Sequence, residues 1–186
     1  MPAARTDWTV DMLDALPDDG KTYELIDGEL FVTPAPSDVH QLVVSAIERR
    51  LWSYLRPSAI ARSLQSPADV RRGDKRINRL QPDVFVVRLI DGRRPSYPFE
   101  LTDLLLIVEV ESPSNAAYDY QTKRRLYLTS GVPEYWVVSP EAQTFARWRG
   151  SEDIGELLST RIEWRPSGMD PSLVIDIPEF FADALG

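Results

Sequence analysis

Glu109 and Glu111 stand two residues apart in the run LLLIVEVE, residues 104 to 111. In an extended strand that spacing puts both carboxylates on one face, about 7 Å apart at roughly 3.3 Å per residue. Alternation assigns Leu104, Leu106, Val108 and Val110 to one side, and Leu105, Ile107, Glu109 and Glu111 to the other. A carboxylate on an apolar strand is costly unless paired or metal-bound. Asp83 opens a second apolar run, DVFVV, directly after Pro82. Lys123 follows Asp119 by one helical turn in the segment after Glu111. Acidic groups at neighbouring strand ends plus a lysine from the next element meet the needs of metal-assisted phosphodiester hydrolysis. The carboxylates hold a divalent cation, the cation lowers the pKa of a bound water, and the amine offsets charge building on the phosphate.

Each piece also has an ordinary explanation. Asp83 can cap a turn after proline. Glu109 and Glu111 can lie at a solvated strand end. Asp119 and Lys123 have the spacing of a common helical ion pair. Glu24 and Glu29 can be solvated on a hairpin, and His40 reads as a structural or surface histidine. The rest of the composition narrows the chemistry. The 186 residues contain one histidine and no cysteine, which excludes thiol nucleophiles, iron–sulfur clusters and multi-histidine metal sites. A metal here needs carboxylates and carbonyls, the donors that Mg²⁺, Mn²⁺ and Ca²⁺ take. Hydrophobic residues are 43% and charged ones 27%, the balance of a globular chain. No apolar run is long enough to span a membrane. The first residues show no signal peptide, so a cytoplasmic location is expected. The formal charge is −8, yet from Glu48 to Arg79 nine basic residues face three acidic ones, a local +6. Such a face suits a polyanion, or simply balances acidic ends.

The elements that must position these residues follow from pattern and punctuation. Thr9 caps a short helix to about Leu16. Tyr23 to Val32 is a hairpin around Asp27-Gly28, the pair favoured where both turn residues need positive φ. Its register groups Tyr23, Leu25, Leu30 and Val32 on one face, and Glu24, Ile26, Glu29 and Phe31 on the other. Ser37 caps a long helix from about Asp38 to Leu55, with Val43, Ile47, Leu51, Tyr54 and Leu55 as its apolar stripe. Residues 60 to 80 hold short strands and a loop. Strands follow at Asp83–Val87 and Leu104–Glu111. A helix of about Ala116 to Ser130, capped by Ser114 or Asn115, ends at Gly131. EYWVVS and TFARWR make a second hairpin, LVIDI a further strand, and a helix after Pro178 closes the chain. One domain over residues 1–186 is expected, with no linker or repeat.

The segments YELIDGELFVTPAPSDVHQ, LQPDVFVV, LLLIVEVESPSNAAYDYQTKRRLY and SGVPEYWVVSP resemble the Uma-two family, a branch of the PD-(D/E)xK restriction-endonuclease-like superfamily. The resemblance runs from about Trp8 to Trp148. It implies an α/β (α+β) fold with a mixed central sheet flanked by helices and an N-terminal hairpin. It makes Asp83 and Glu109 metal ligands, with the Val110 carbonyl a third. The common superfamily lysine stands two residues after the glutamate, where this chain has Glu111. In this branch the lysine has moved to the next helix, as Lys123. Glu24 matches a further acidic position near the metal. Glu111 departs from the apolar residue usual there and adds a second-metal ligand, takes a base role, or repels the phosphate. The activity implied is a Mg²⁺- or Mn²⁺-dependent nuclease acting on nucleic acid, with DNA the expected substrate and a homodimer the expected assembly. A catalytically silent nucleic-acid or partner-binding domain with the same fold is the alternative. A phosphatase-like hydrolase on a smaller substrate is a third reading.

Overall fold

The computed structural model describes residues 7–112, 116–150 and 152–186. The chain opens with helix α1 (Val10–Asp14), whose first turn is closed by Thr9 Oγ1 accepting the Met12 N–H. Strands β1 (Thr22–Ile26) and β2 (Glu29–Thr33) form the expected hairpin, pairing Tyr23 with Val32 and Glu24 with Phe31. Asp27 and Gly28 take φ of 48° and 82°, the double left-handed geometry that lets a two-residue turn follow the strand twist. Helix α2 (Asp38–Leu55) has the expected bounds, with Ser37 Oγ accepting the His40 N–H at 3.2 Å. Then come β3 (Ala61–Gln65), β4 (Val70–Arg71), β5 (Val84–Arg88), β6 (Phe99–Glu100) and β7 (Leu104–Val110). A π-helical turn, Tyr118–Lys123, runs into α3 (Arg124–Thr129). Strands β8 (Glu134–Ser139), β9 (Thr144–Arg149), β10 (Glu156–Leu158), β11 (Arg161–Trp164) and β12 (Leu173–Asp176) precede helix α4 (Ile177–Leu185).

Six strands form the central sheet in the order β10-β9-β8-β7-β5-β3. The β7–β8 pair is parallel and its other pairs are antiparallel, so the sheet is mixed. One face packs against α2, α4 and the β11–β12 ribbon, through residues such as Ile47, Leu51, Val108, Trp136 and Phe180. The other face packs Phe85, Ile107, Tyr135 and Val137 against the hairpin, α3 and the β4–β6 region. Strands covered on both faces read as continuous apolar runs, and β5, β7 and β8 do.

Three local expectations change. The strand expected from Asp83 begins at Val84, leaving Asp83 at its threshold. Along β7 the alternation breaks at the start: Val87 pairs with Leu104 but Val86 with Leu106. That bulge holds one extra residue, Leu105. It moves Leu104 to the face of Ile107 and Leu105 to the face of Leu106. The helix after β7 is no uniform α-helix, because its first full turn is π, with the Arg124 N–H reaching the Asp119 carbonyl. Its proposed caps, Ser114 and Asn115, lie outside the described residues. At the chain's end, Asp176 caps α4 and Pro178 sits inside the first turn instead of preceding the helix.

The hairpin turns its Glu24 face inward, so the solvated explanation for Glu24 does not hold. Val32 is 46% exposed, whereas Glu24 is 2% exposed and Phe31 packs on the core. Leu25 is buried nonetheless, and its backbone exchanges hydrogen bonds of 2.8 Å with that of Arg79. The basic segment also behaves differently from its charge count. Arg72 pairs with Asp27, Lys75 with Glu100, Arg76 with Asp74, Arg79 with Asp14 and Arg50 with Asp183. Arg62 donates to the carbonyls of Leu55, Ser58 and Ala61. Much of the +6 is spent inside the molecule.

Candidate active site

The C-terminal half of β7, the threshold of β5, strand β1 and the π turn converge at one end of the sheet. Between them and the first turns of α2 lies a cavity of about 510 Å³ lined by Glu24, His40, Gln81, Asp83, Glu109, Val110, Asp119 and Lys123, among others. Asp83 and Glu109 are knitted together across β5 and β7. The Val110 N–H donates to Asp83 Oδ2 at 2.8 Å, and the Asp83 N–H donates to Glu109 Oε2 at 3.3 Å. Lys123 Nζ reaches Glu109 Oε1 at 3.0 Å and Glu24 Oε2 at 2.9 Å, with Asp119 Oδ1 at 3.9 Å. Asp83, Glu109, Lys123, Glu24 and Val110, all singled out from sequence, are therefore brought together.

Glu111 is not among the residues that line the cavity. Its backbone N–H continues the β7–β8 pairing by donating to the Val138 carbonyl at 2.8 Å. Its charge still reaches the site, as one of the influences raising the Asp119 carboxyl.

Other side chains join that were not assigned to the site. His40 Nε2 donates to Asp83 Oδ2 at 3.1 Å, and its Nδ1 is buried without a partner among the described residues. Tyr127 Oη donates to Glu109 Oε1 at 2.9 Å. The Gln81 N–H donates to Glu24 Oε1 at 2.9 Å. Asp119 faces the cavity instead of serving only as a surface partner of Lys123. Tyr127 was legible: it follows Lys123 by four residues, the spacing that shares a helix face. His40 had only its place in a capped first turn, which does not say what the turn faces.

Burial governs the electrostatics. Glu109 and Lys123 are 2% and 6% exposed. Burial pushes the Glu109 carboxyl well above its usual range; Lys123 opposes the shift, and the charges of Asp83, Asp119 and Glu24 add to it. Burial also lifts Asp119 to about 7, against the pull of Lys123 and with the push of Asp83, Glu24 and Glu111. Burial alone would lower Lys123, but Glu109 and Glu24 more than reverse this and hold the amine protonated. Burial likewise lowers His40, and the hydrogen bond and charge of Asp83 outweigh it to leave the imidazole raised. Four carboxylates thus meet one ammonium. Such an excess favours the protonated forms of Glu109 and Asp119 until another cation enters.

That donor set fits a hard divalent cation. No three His, Asp or Glu side chains among the described residues converge as a ready-made cage. Asp83 and Glu109 with a strand carbonyl leave positions for water, which Mg²⁺ keeps readily. Over the lysine, Phe31 and Tyr118 stack with centroids 4.4 Å apart, and the amine lies 5.4 Å from the Tyr118 ring. This aromatic cover keeps water from one side of the charges, where each interaction is stronger for it.

A mixed sheet flanked by helices, with acidic groups and a lysine gathered at its end, is the architecture of a restriction-endonuclease-like domain. Residues 10–178 match the model of the Uma2 family, described as "Putative restriction endonuclease", and the chain belongs to that family. Among solved structures it is similar to a protein of Anabaena variabilis ATCC 29413 described as a "putative nuclease belonging to DUF820". The two share 21% identity over 95% of this chain and 99% of that one, with a TM-score of 0.73. At that identity the likeness shows the fold. No curated protein matches the chain. No helix among the described residues is long and apolar enough to cross a membrane.

Proposed function

We propose that the protein is a divalent-metal-dependent nuclease that hydrolyses phosphodiester bonds in DNA. The observation carrying this reading is the meeting of Asp83, Glu109 and Lys123 from three separate elements on one cavity wall. Asp83, Glu109 and the Val110 carbonyl would hold Mg²⁺ or Mn²⁺. When bound, that ion supplies charge neutralisation and a water of lowered pKa. Lys123 stays protonated and would offset negative charge on the phosphate as a water oxygen bonds to phosphorus, the bond to the leaving oxygen breaks and the water's proton passes through solvent to that oxygen. Glu24 and Tyr127 are positioning residues that fix the amine and the Glu109 carboxylate. His40 orients Asp83. Glu111 acts through its field on Asp119. Cutting both strands of a duplex calls for two such sites, which a symmetric homodimer provides.

One observation favours a second reading, a nucleic-acid-binding domain without turnover. The Glu109 carboxylate is already taken by Lys123, Tyr127 and the Asp83 N–H. Nicking of supercoiled plasmid decides between them. The nuclease reading expects nicked circles with Mg²⁺ or Mn²⁺, none with chelator, and none from Asp83→Ala. Plasmid binding without nicking under every metal condition would establish the silent domain.

A further inference from the structure

We propose that the cleft between the loop after β5 and strand β3 holds an unpaired nucleotide of the substrate strand. Its base would stack on Tyr97 and its phosphates would contact Arg93 and Arg94. The proposal deepens the hydrolytic reading and rests on it, since it supplies the grip beside the cavity.

The cleft is walled by Leu64, Ala68, Arg93, Arg94, Tyr97 and Phe99. Tyr97 is 61% exposed, yet its ring is held from two sides. Phe99 meets it edge-on at 5.6 Å and 86°, and its hydroxyl accepts the Asp69 N–H at 3.0 Å. A fixed, exposed aromatic face is a ready stacking platform, and bases of any sequence offer a matching π-face. A lone exposed tyrosine would mean little. Here two guanidiniums stand beside it, and neither has an ion-pair partner among the described residues. Their position is set by a tight turn at Asp91-Gly92, with φ of 51° and 72°. Ile90 and Arg93 exchange backbone hydrogen bonds of 2.9 and 3.0 Å across it. Between Arg88 and Pro98 three arginines face one acid, Asp91. Asp69 nearby is engaged by Gln81 at 2.9 Å.

Strand β3 joins the cleft to the candidate active site. Leu64 walls the cleft, while the next two residues, Gln65 and Ser66, line the cavity. The Ser66 N–H donates to the Asp83 carbonyl at 3.1 Å. β3 is the edge strand of the sheet, so no further strand pairs along it between the two sites. The cations of the 48–79 segment are largely paired internally, whereas those of this loop are free to meet phosphate.

The test is binding of a fluorescent single-stranded DNA oligonucleotide in chelator, across a salt series, beside plasmid nicking with Mg²⁺. Replacing both arginines (R93A with R94A) should weaken binding and flatten the salt slope by about 1.4, from roughly 0.7 per phosphate contact. Tyr97→Leu should cost about 5- to 150-fold in affinity and leave the slope unchanged. Tyr97→Trp, which keeps a stacking face, should bind like the wild type and shows that the position tolerates substitution. A blunt duplex should bind without dependence on Tyr97. Unchanged affinity in the arginine and leucine variants, an equal loss in the tryptophan variant, or displacement by polyglutamate as effective as by unlabelled oligonucleotide would each overturn the cleft. If the wild type nicks plasmid and the cleft variants bind and nick unchanged, the cleft fails and the hydrolytic reading stands. If the wild type never nicks but its binding still depends on Tyr97, the hydrolytic reading fails and the cleft stands.

Discussion

Removing the Lys123 amine leaves Glu24 and Glu109 buried without the cation they now meet at 2.9 and 3.0 Å. Read from sequence, Lys123→Ala would be felt in turnover far more than in stability. Its burial changes that balance, because breaking a buried pair costs about 3–5 kcal/mol. Urea unfolding in chelator should show a loss of about that size, and Mg²⁺ should return part of it, while nicking should disappear. Asp119 gives a pH signature. Burial pushes its folded carboxyl up to about 7 from an ordinary value of 3.8. The protonated form is therefore favoured by folding. The contribution is fully present below about pH 4 and is lost as pH rises through 7. In chelator, melting temperature should fall across that window, and Asp119→Asn should flatten the fall. Glu111→Leu removes one of the charges raising Asp119. It should stabilise the metal-free protein and trim the metal-induced gain in melting temperature by less than Asp119→Asn does. A larger trim would place Glu111 among the groups that hold the ion.

The hairpin and the π turn do the positioning at the scale of elements. β1 brings Glu24 to Lys123 only because its register with β2 is pinned by Asp27-Gly28. A one-residue slip would swap Glu24 for a neighbour on the opposite face. Gly28→Ala at φ 82° should cost about 1–2 kcal/mol, read as a lower urea midpoint, and should weaken nicking through Glu24. The π turn is an element that periodicity alone does not announce. Short π segments recur at functional sites, and this one leaves both Asp119 and Lys123 buried at the cavity. The β7 bulge at Leu105 has a similar character. It reverses the facing of the first residues of β7, while Glu109 keeps the side that alternation gave it.

For the whole molecule, an ion held by the folded state alone stabilises it by mass action, about 2.7 kcal/mol when its concentration is 100-fold above Kd. A thermal-shift series with Mg²⁺ or Mn²⁺ should show such a gain in the wild type and none in Asp83→Ala. Local chemistry was legible in the sequence throughout: Ser37 starts α2, Asp27-Gly28 turns the hairpin, and the apolar runs make the sheet's inner strands, because each depends on neighbours along the chain. That Asp83 and Glu109 each end an apolar strand was legible for the same reason; that those two strands are neighbours was set by the order of the sheet. The inward turn of Glu24, the joining of His40, the internal pairing of the basic segment and the standing of Glu111 outside the cavity were decided by tertiary structure. Each depends on which partner a side chain meets across tens of residues. A charge on a hairpin or helix looks the same in sequence whether it faces water or a buried lysine, and only packing settles which.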